Sequence, residues 1–268
     1  MTDRALSVLV HGHAKVGKTT FANTAPYPRL LLDVEAASRF LQCEKVYWDP
    51  MVDAPPEADG TWDTCIVRVT DFTTALKAYE WLKSGKHPFK SVILDSISEL
   101  QVKAQELVAG RNQMKTQDWG TLLAKMAFFA RDLRDLTVQK NPLEAVVVTA
   151  MSREVEGVLK PYLQGQIASQ VAYWFDVTSY IFLDQVQDEA GNWVVVRKLL
   201  TDKNPSFEAG NRVPGLPIII ENPSIEGMLD TVFPQTSSQQ AVTKPAPAIL
   251  TPTTTIVDSS TPPAPPAE

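Results

Sequence analysis

The segment that most narrows the folds open to this chain is Gly12-His13-Ala14-Lys15-Val16-Gly17-Lys18-Thr19, which fits the pattern GxxxxGK[ST]. The glycines let the main chain wrap so that successive N–H groups point inward, a shape that cradles phosphate oxygens. Such a loop has meaning only between a buried strand and the start of a helix. The flanks comply, since Leu6 to Val10 is a continuous apolar run and Phe21-Ala22 continue into a short helix. We therefore read Gly12, His13, Ala14, Lys15, Val16, Gly17, Lys18, Thr19 and Thr20 as a nucleotide-binding segment. Lys18 offers a point charge to the β- and γ-phosphates and the Thr19 hydroxyl a ligand to Mg2+. The helix that opens here adds its positive dipole end.

Downstream, short apolar runs alternate with helical periodicity. Arg29 to Val34, Cys65 to Val69, Ser91 to Asp95 and Ala145 to Ala150 read as strands. Phe72, Ala75, Leu76, Tyr79 and Leu82 recur at helical spacing behind a Thr70 or Asp71 cap. Two more helices are marked by Ile97, Leu100, Ala104, Leu107 and Val108, and by Leu122, Met126, Ala130 and Leu133. This alternation predicts an α/β fold with a mostly parallel sheet flanked by helices. Val177 to Leu183 and Trp193 to Leu200, joined by Asp188 to Asn192, predict an antiparallel hairpin at the sheet edge. The acidic stretch from Trp48 to Asp63 reads as a solvated loop. Trp48, Trp62, Trp81, Trp174 and Trp193 read as core or edge packing. From 234 to 268 the chain turns rich in Pro and Thr with no Gly, so a folded domain over 1–233 and a disordered tail are expected.

Composition excludes several classes. A net charge of −6 argues against gripping nucleic acid through bulk positive charge, leaving only local basic loops. Two cysteines, Cys43 and Cys65, are too few for a disulfide framework. His11, His13 and His87 are scattered, so no zinc site is expected. Neither a signal peptide nor an apolar run of ~18 residues is visible, so the reading is cytoplasmic, without a membrane partner.

A phosphate loop of this kind needs a carboxylate at the end of a neighbouring strand for the metal. Asp95, closing Ser-Val-Ile-Leu-Asp, fits, and Asp33 at the end of another apolar run competes. No Asn-Lys-x-Asp motif for guanine is present, so ATP with Mg2+ is the expected ligand.

With these residues the chain resembles the RecA-like branch of P-loop ATPases. Asp33-Val34-Glu35 matches its D-x-E element, and Asp95-Ser96 after Val92-Ile93-Leu94 matches the end of its metal-binding strand. Val-Val-Val-Thr-Ala and Lys160-Pro161-Tyr162-Leu163-Gln164-Gly165 are similar to elements of the phage-encoded RecA-core ATPases that anneal or pair single strands. The resemblance covers residues 5 to 220. It implies a RecA-like P-loop NTPase core and an ATPase in which Glu35 activates water, Lys18 is catalytic, and Thr19 and Asp95 hold the metal. It also implies a homo-oligomeric ring or filament acting on single-stranded DNA in phage recombination, annealing or repair, inside a bacterial host. A single-strand-binding protein is an added partner. Lys198 and Arg212 are the preferred residues to reach a neighbour's γ-phosphate, with Arg197 and Lys203 beside them. Two loops would face DNA, one with Arg111, Lys115 and Trp119, the other, from Ser152 to Gln170, with Arg153, Lys160 and Tyr162.

The chain departs from that pattern at His13, Ala14 and Met151, the last standing where a polar γ-phosphate sensor is usual; Thr149 and Ser152 are the substitutes. Two other readings compete with DNA work. One is a P-loop ATPase that regulates or assembles a protein partner. The other is a scaffold that binds ATP and hardly hydrolyses it.

Overall fold

The computed structural model describes residues 4–234. The expected tail therefore lies, beyond Pro234, outside the described residues. Strand β1 (Leu6–Gly12) leads into the glycine-rich loop and helix α1 (Lys18–Ala22). Then come β2 (Arg29–Asp33), β3 (Lys45–Tyr47), β4 (Thr64–Arg68), α2 (Phe72–Lys83), β5 (Ser91–Asp95), α3 (Ile97–Ala109) and α4 (Thr116–Asp135). The chain continues through β6 (Ala145–Val155), β7 (Val158–Pro161), α5 (Ile167–Gln170), β8 (Val177–Gln187) and β9 (Trp193–Leu200). It closes with β10 (Gly210–Asn211), β11 (Ile219–Glu221) and α6 (Ile225–Val232).

The sheet runs β11-β9-β8-β1-β6-β5-β2-β4-β3, and from β8 to β3 every neighbouring pair is parallel. The edge pair β8–β9 is antiparallel, with Gln187 opposite Trp193 and Tyr180 opposite Leu200. This is the expected α/β architecture. Parallel strands buried on both faces favour continuous apolar runs, and the centres of β2 and β5 and the first half of β6 supply them. Alternate side chains sort into two cores. Leu30, Leu32, Val92, Leu94, Val146 and Val148 face the α2–α3–α4 side, while Leu31, Ile66, Ile93 and Val147 face α1 and α6.

Several elements differ from expectation. β6 continues five residues past Ala150 and folds back as β7. The segment from Ser152 is thus a β-hairpin where a loop was expected. Its turn, Glu156-Gly157, has φ of 53° and 79°, the paired positive φ of a type I′ hairpin turn. Helix α4 begins at Thr116, two turns before its first periodic apolar residue, with the Asp118 carboxylate accepting from the Lys115 N–H. The acidic loop is pinned at both ends, because Trp48 and Trp62 are buried and donate to the carbonyls of Asp53 and Glu57. Trp193, expected in packing, is 67 % exposed. Among the described residues no helix is long and apolar enough to cross a membrane.

In the larger core Phe129 of α4 packs against Phe72 and Tyr79 of α2, with ring centroids 5.5 and 6.2 Å away. Replacing Phe129 by Ala should cost about 3–5 kcal/mol of stability, the usual toll of a large core cavity. Chemical denaturation measures this, and a loss below about 1 kcal/mol would show that α4 contributes little to this core.

Candidate nucleotide and metal site

Strand β1 ends in the phosphate loop at the C-terminal edge of the sheet, where β2 and β5 also end. Crowding makes glycine necessary in the loop. A Cβ on Gly12 would lie 2.5 Å from the Ile181 carbonyl of β8, and Gly17 has a φ of +96°. Lys15, a non-glycine residue, is held at φ 62°, a conformation concentrated at functional loops. The N–H groups of Ala14 to Gly17 donate no main-chain hydrogen bond within the described residues. The loop thus presents a row of unspent donors. Helix α1 has only five residues, so it aligns few peptide dipoles and the loop itself must carry most of the expected anion attraction.

One cavity of about 570 Å³ collects most of the expected site. Its walls are the loop from Gly12 to Thr20, apart from Val16, with Glu35, Phe40, Asp95, Met151 and Ser152. Nucleotide-sized ligands occupy clefts of roughly 300–1,000 Å³. Lys18 folds back and donates to the carbonyls of Gly12 and His13 at 3.0 and 2.8 Å. Burial lowers its pKa, an effect opposed by the negative charges of Glu35 and Asp95.

Asp95 is buried and accepts hydrogen bonds from the hydroxyls of Thr19, at 2.6 Å, and Thr149. Burial raises its pKa; the two threonine bonds pull it down, and Glu35 and Asp33 push it up again. Asp33 and Asp95 are direct partners across β2 and β5. Asp33, the competing metal candidate, is occupied elsewhere: its carboxylate accepts from the N–H groups of Ala37 and Ser38, capping the 3-10 turn Ser38–Phe40. Glu35 is exposed and accepts a 2.5 Å hydrogen bond from the Ser96 hydroxyl, which also accepts from Glu99 N–H at the start of α3.

The donor set fits Mg2+. Thr19 and Asp95 are hard oxygen ligands, and three carboxylates, one of them desolvated, stand here against the single charge of Lys18. Among the described residues no group of three or more His, Cys, Asp or Glu side chains could hold a metal alone. Mg2+ normally takes one or two protein ligands and completes its shell with phosphate and water.

The remaining expectations separate. Met151 lies beside Gly12 in the sheet and lines the cavity with its thioether, a poor phosphate partner. Of its expected substitutes, Thr149 is bound to Asp95, and Ser152 lines the cavity but is paired with His11. Arg153 and Lys160 are cross-strand partners in the β6–β7 hairpin, and Arg153 lies 5.2 Å from the Tyr162 ring. Arg111 and Lys115 are exposed between α3 and α4. Trp119, 39 % exposed, lines a separate cleft of about 310 Å³ against Gln164 to Ile167. Lys198 is held by Asp184 and Glu221, each at 2.9 Å. Arg212 donates to the carbonyls of Tyr173 and Phe175 and pairs with Asp176, beside Ser7 at the opposite end of β1. Neither belongs to this chain's own phosphate loop. Arg197 does, donating to the Val16 carbonyl at 3.0 Å.

His11, weighed in the sequence only as a zinc ligand, has a different place. It is fully buried on β1, where Nε2 donates to the Glu208 carbonyl and the neutral ring's Nδ1 accepts from the Ser152 hydroxyl, both at 2.8 Å. A titratable residue at the end of an apolar run was its only signal. Burial lowers its pKa to about 4, the Glu208 bond resists, and the Lys18 charge adds to the lowering.

A family profile described as an AAA domain matches residues 4–213, so the chain belongs to that family of P-loop ATPases. No curated protein matches the chain.

The His11 shift sets a pH dependence. Unfolded His11 takes up a proton below pH ~6.5, whereas the folded ring stays neutral down to about pH 4. Between those values the unfolded state binds more protons, so stability falls as pH falls, by roughly 3 kcal/mol in all. Denaturation at a series of pH values should show this loss in the wild type and a shallower one in His11→Gln. Equal slopes would contradict the burial of a neutral ring.

Proposed function

We propose that this AAA-family protein hydrolyses ATP and uses the cycle to act on single-stranded DNA, in recombination, annealing or repair of the kind carried out by phage RecA-like proteins. One observation carries the DNA half of the reading. Strand β6 leaves the nucleotide cavity at Met151 and Ser152 and continues without a break into the hairpin that pairs Arg153 with Lys160. Its base is held in place, since the Ser98 hydroxyl accepts from Met151 N–H and donates to the Tyr162 carbonyl, while Tyr162 N–H donates to Met151. A change at the γ-phosphate position has a direct covalent route to a hairpin that pairs two cations, with a tyrosine beside them, a combination suited to a phosphate backbone and a base, although Glu154 and Glu156 bring the hairpin's net charge to zero.

For the chemistry, the loop N–H groups and Lys18 would hold the phosphates, and Thr19 with Asp95 would hold Mg2+, which when bound would supply positive charge to the phosphate oxygens. Glu35 is the exposed carboxylate on the cavity wall, positioned by Ser96 to orient a water and take its proton. A homo-oligomer is part of this reading, with a single-strand-binding protein as a further partner. An interface that uses Lys198 or Arg212 in trans must displace the ion pairs and carbonyl contacts they make within the chain. Arg111 and Lys115 form the second basic contact.

A second reading, action on a protein partner, draws on the edge hairpin, where Leu183, Trp193 and Val195 are 50, 67 and 62 % exposed. ATP turnover with and without single-stranded DNA separates the two. The DNA reading expects stimulation, lost when Arg153 and Lys160 are both replaced by Ala while DNA-free turnover persists. Turnover indifferent to DNA in the wild type would favour the protein partner, and absence of turnover would favour a nucleotide-dependent scaffold.

A further inference from the structure

Within the edge hairpin, β8 crowds Gly12 through Ile181, and β9 reaches the other end of the phosphate loop through one side chain, Arg197. Arg197 stands on β9 opposite Leu183 of β8, and its Nε donates to the Val16 carbonyl at 3.0 Å. The guanidinium lies so close to the main chain that a Cβ on Gly17 would fall 2.4 Å from Nη2. Arg197 makes no ion pair among the described residues, whereas its neighbour Lys198 is held by two carboxylates. It is not part of the cavity wall and so approaches the loop from outside.

We propose that Arg197 acts in cis as a positioning residue for the phosphate cradle. A trans peptide holds its C=O and N–H on opposite sides. Drawing the Val16 carbonyl outward to Arg197 therefore turns the Gly17 N–H to the other side, toward the cavity and a bound phosphate. The same side chain brings a permanent positive charge to the outer wall of a loop that must hold a polyanion. The φ of Gly17 is what requires glycine here, and a side chain at this position would in addition push the guanidinium aside. The edge pair thereby becomes part of the nucleotide site, although its residues lie some 180 positions along the chain from the loop.

This inference rests on the nucleotide reading, and its test separates the two. Binding of ATP and of inorganic tripolyphosphate to the full chain is measured by calorimetry, alongside steady-state turnover. Arg197→Ala should weaken both ligands by roughly 10- to 100-fold, the worth of a hydrogen bond involving a charged group. KM should rise while kcat is largely kept, the signature of binding shared by ground and transition states. Arg197→Lys should recover part of the loss, because an ammonium can also donate to the Val16 carbonyl. Unchanged affinity in Arg197→Ala would overturn the proposal. So would a loss for ATP alone, which would place Arg197 on the base instead of the cradle. A lower melting temperature without nucleotide, not restored by Lys, would reduce the residue to a structural strut. If the wild type binds neither ligand, the nucleotide reading itself falls, and this inference with it.

Discussion

A carboxylate buried beneath the phosphate loop, Asp95, governs the arrangement around it. Removing such a group from water costs several kcal/mol unless hydrogen bonds or opposite charges compensate. Two threonine hydroxyls and the neighbouring Lys18 provide part of that compensation, and Glu35 and Asp33 work against it. The cluster is thus deficient in positive charge at the place where the strand ends bring it together. An Mg2+ ion shared with phosphate oxygens would meet that deficit, which is why the donor set fits the metal that AAA-type ATPases use.

Topology makes this concentration of charge possible. In a parallel sheet all strands discharge their C-terminal ends at one edge, and ligands gather there. β1 brings the loop, β5 the buried acid, β2 the exposed Glu35, and β6, inserted between β1 and β5, the residues Met151 and Ser152. His11 links the same edge to the segment around Glu208, which is paired with β7. The cavity and the β6–β7 hairpin are consequently joined by one strand, one buried imidazole and the Ser98 hydroxyl, a compact mechanical connection.

Local patterns carried much of this in the sequence. The loop, the parallel strands and the edge hairpin could be read because each is written in contiguous residues: a glycine spacing, an apolar run, a turn. Asp95 and Glu35 were singled out only in company with the loop upstream, since apolar runs that end in an acid are common and Asp33, at one such end, caps a 3-10 turn instead. The hairpin after Ala150 was hidden because its turn uses Glu156-Gly157, and Glu at a positive φ is uncommon. Arg197 and His11 were hidden for another reason. Their partners, Val16 and Glu208, lie far away in the chain, and nothing local distinguishes Arg197 from Lys198 beside it. Only the pairing of β9 with β8 decides which of the two faces the loop.

Because the account depends on Glu35 serving as the base while Asp95 is occupied with the metal, turnover and ATP affinity of Glu35→Gln form its most direct test. The substitution keeps shape and hydrogen-bonding reach and removes only the proton acceptor. ATP affinity should be retained and turnover should fall ~10²–10⁴-fold, the usual worth of a positioned general base. Normal turnover in Glu35→Gln would contradict the assignment and place the base elsewhere on this sheet edge.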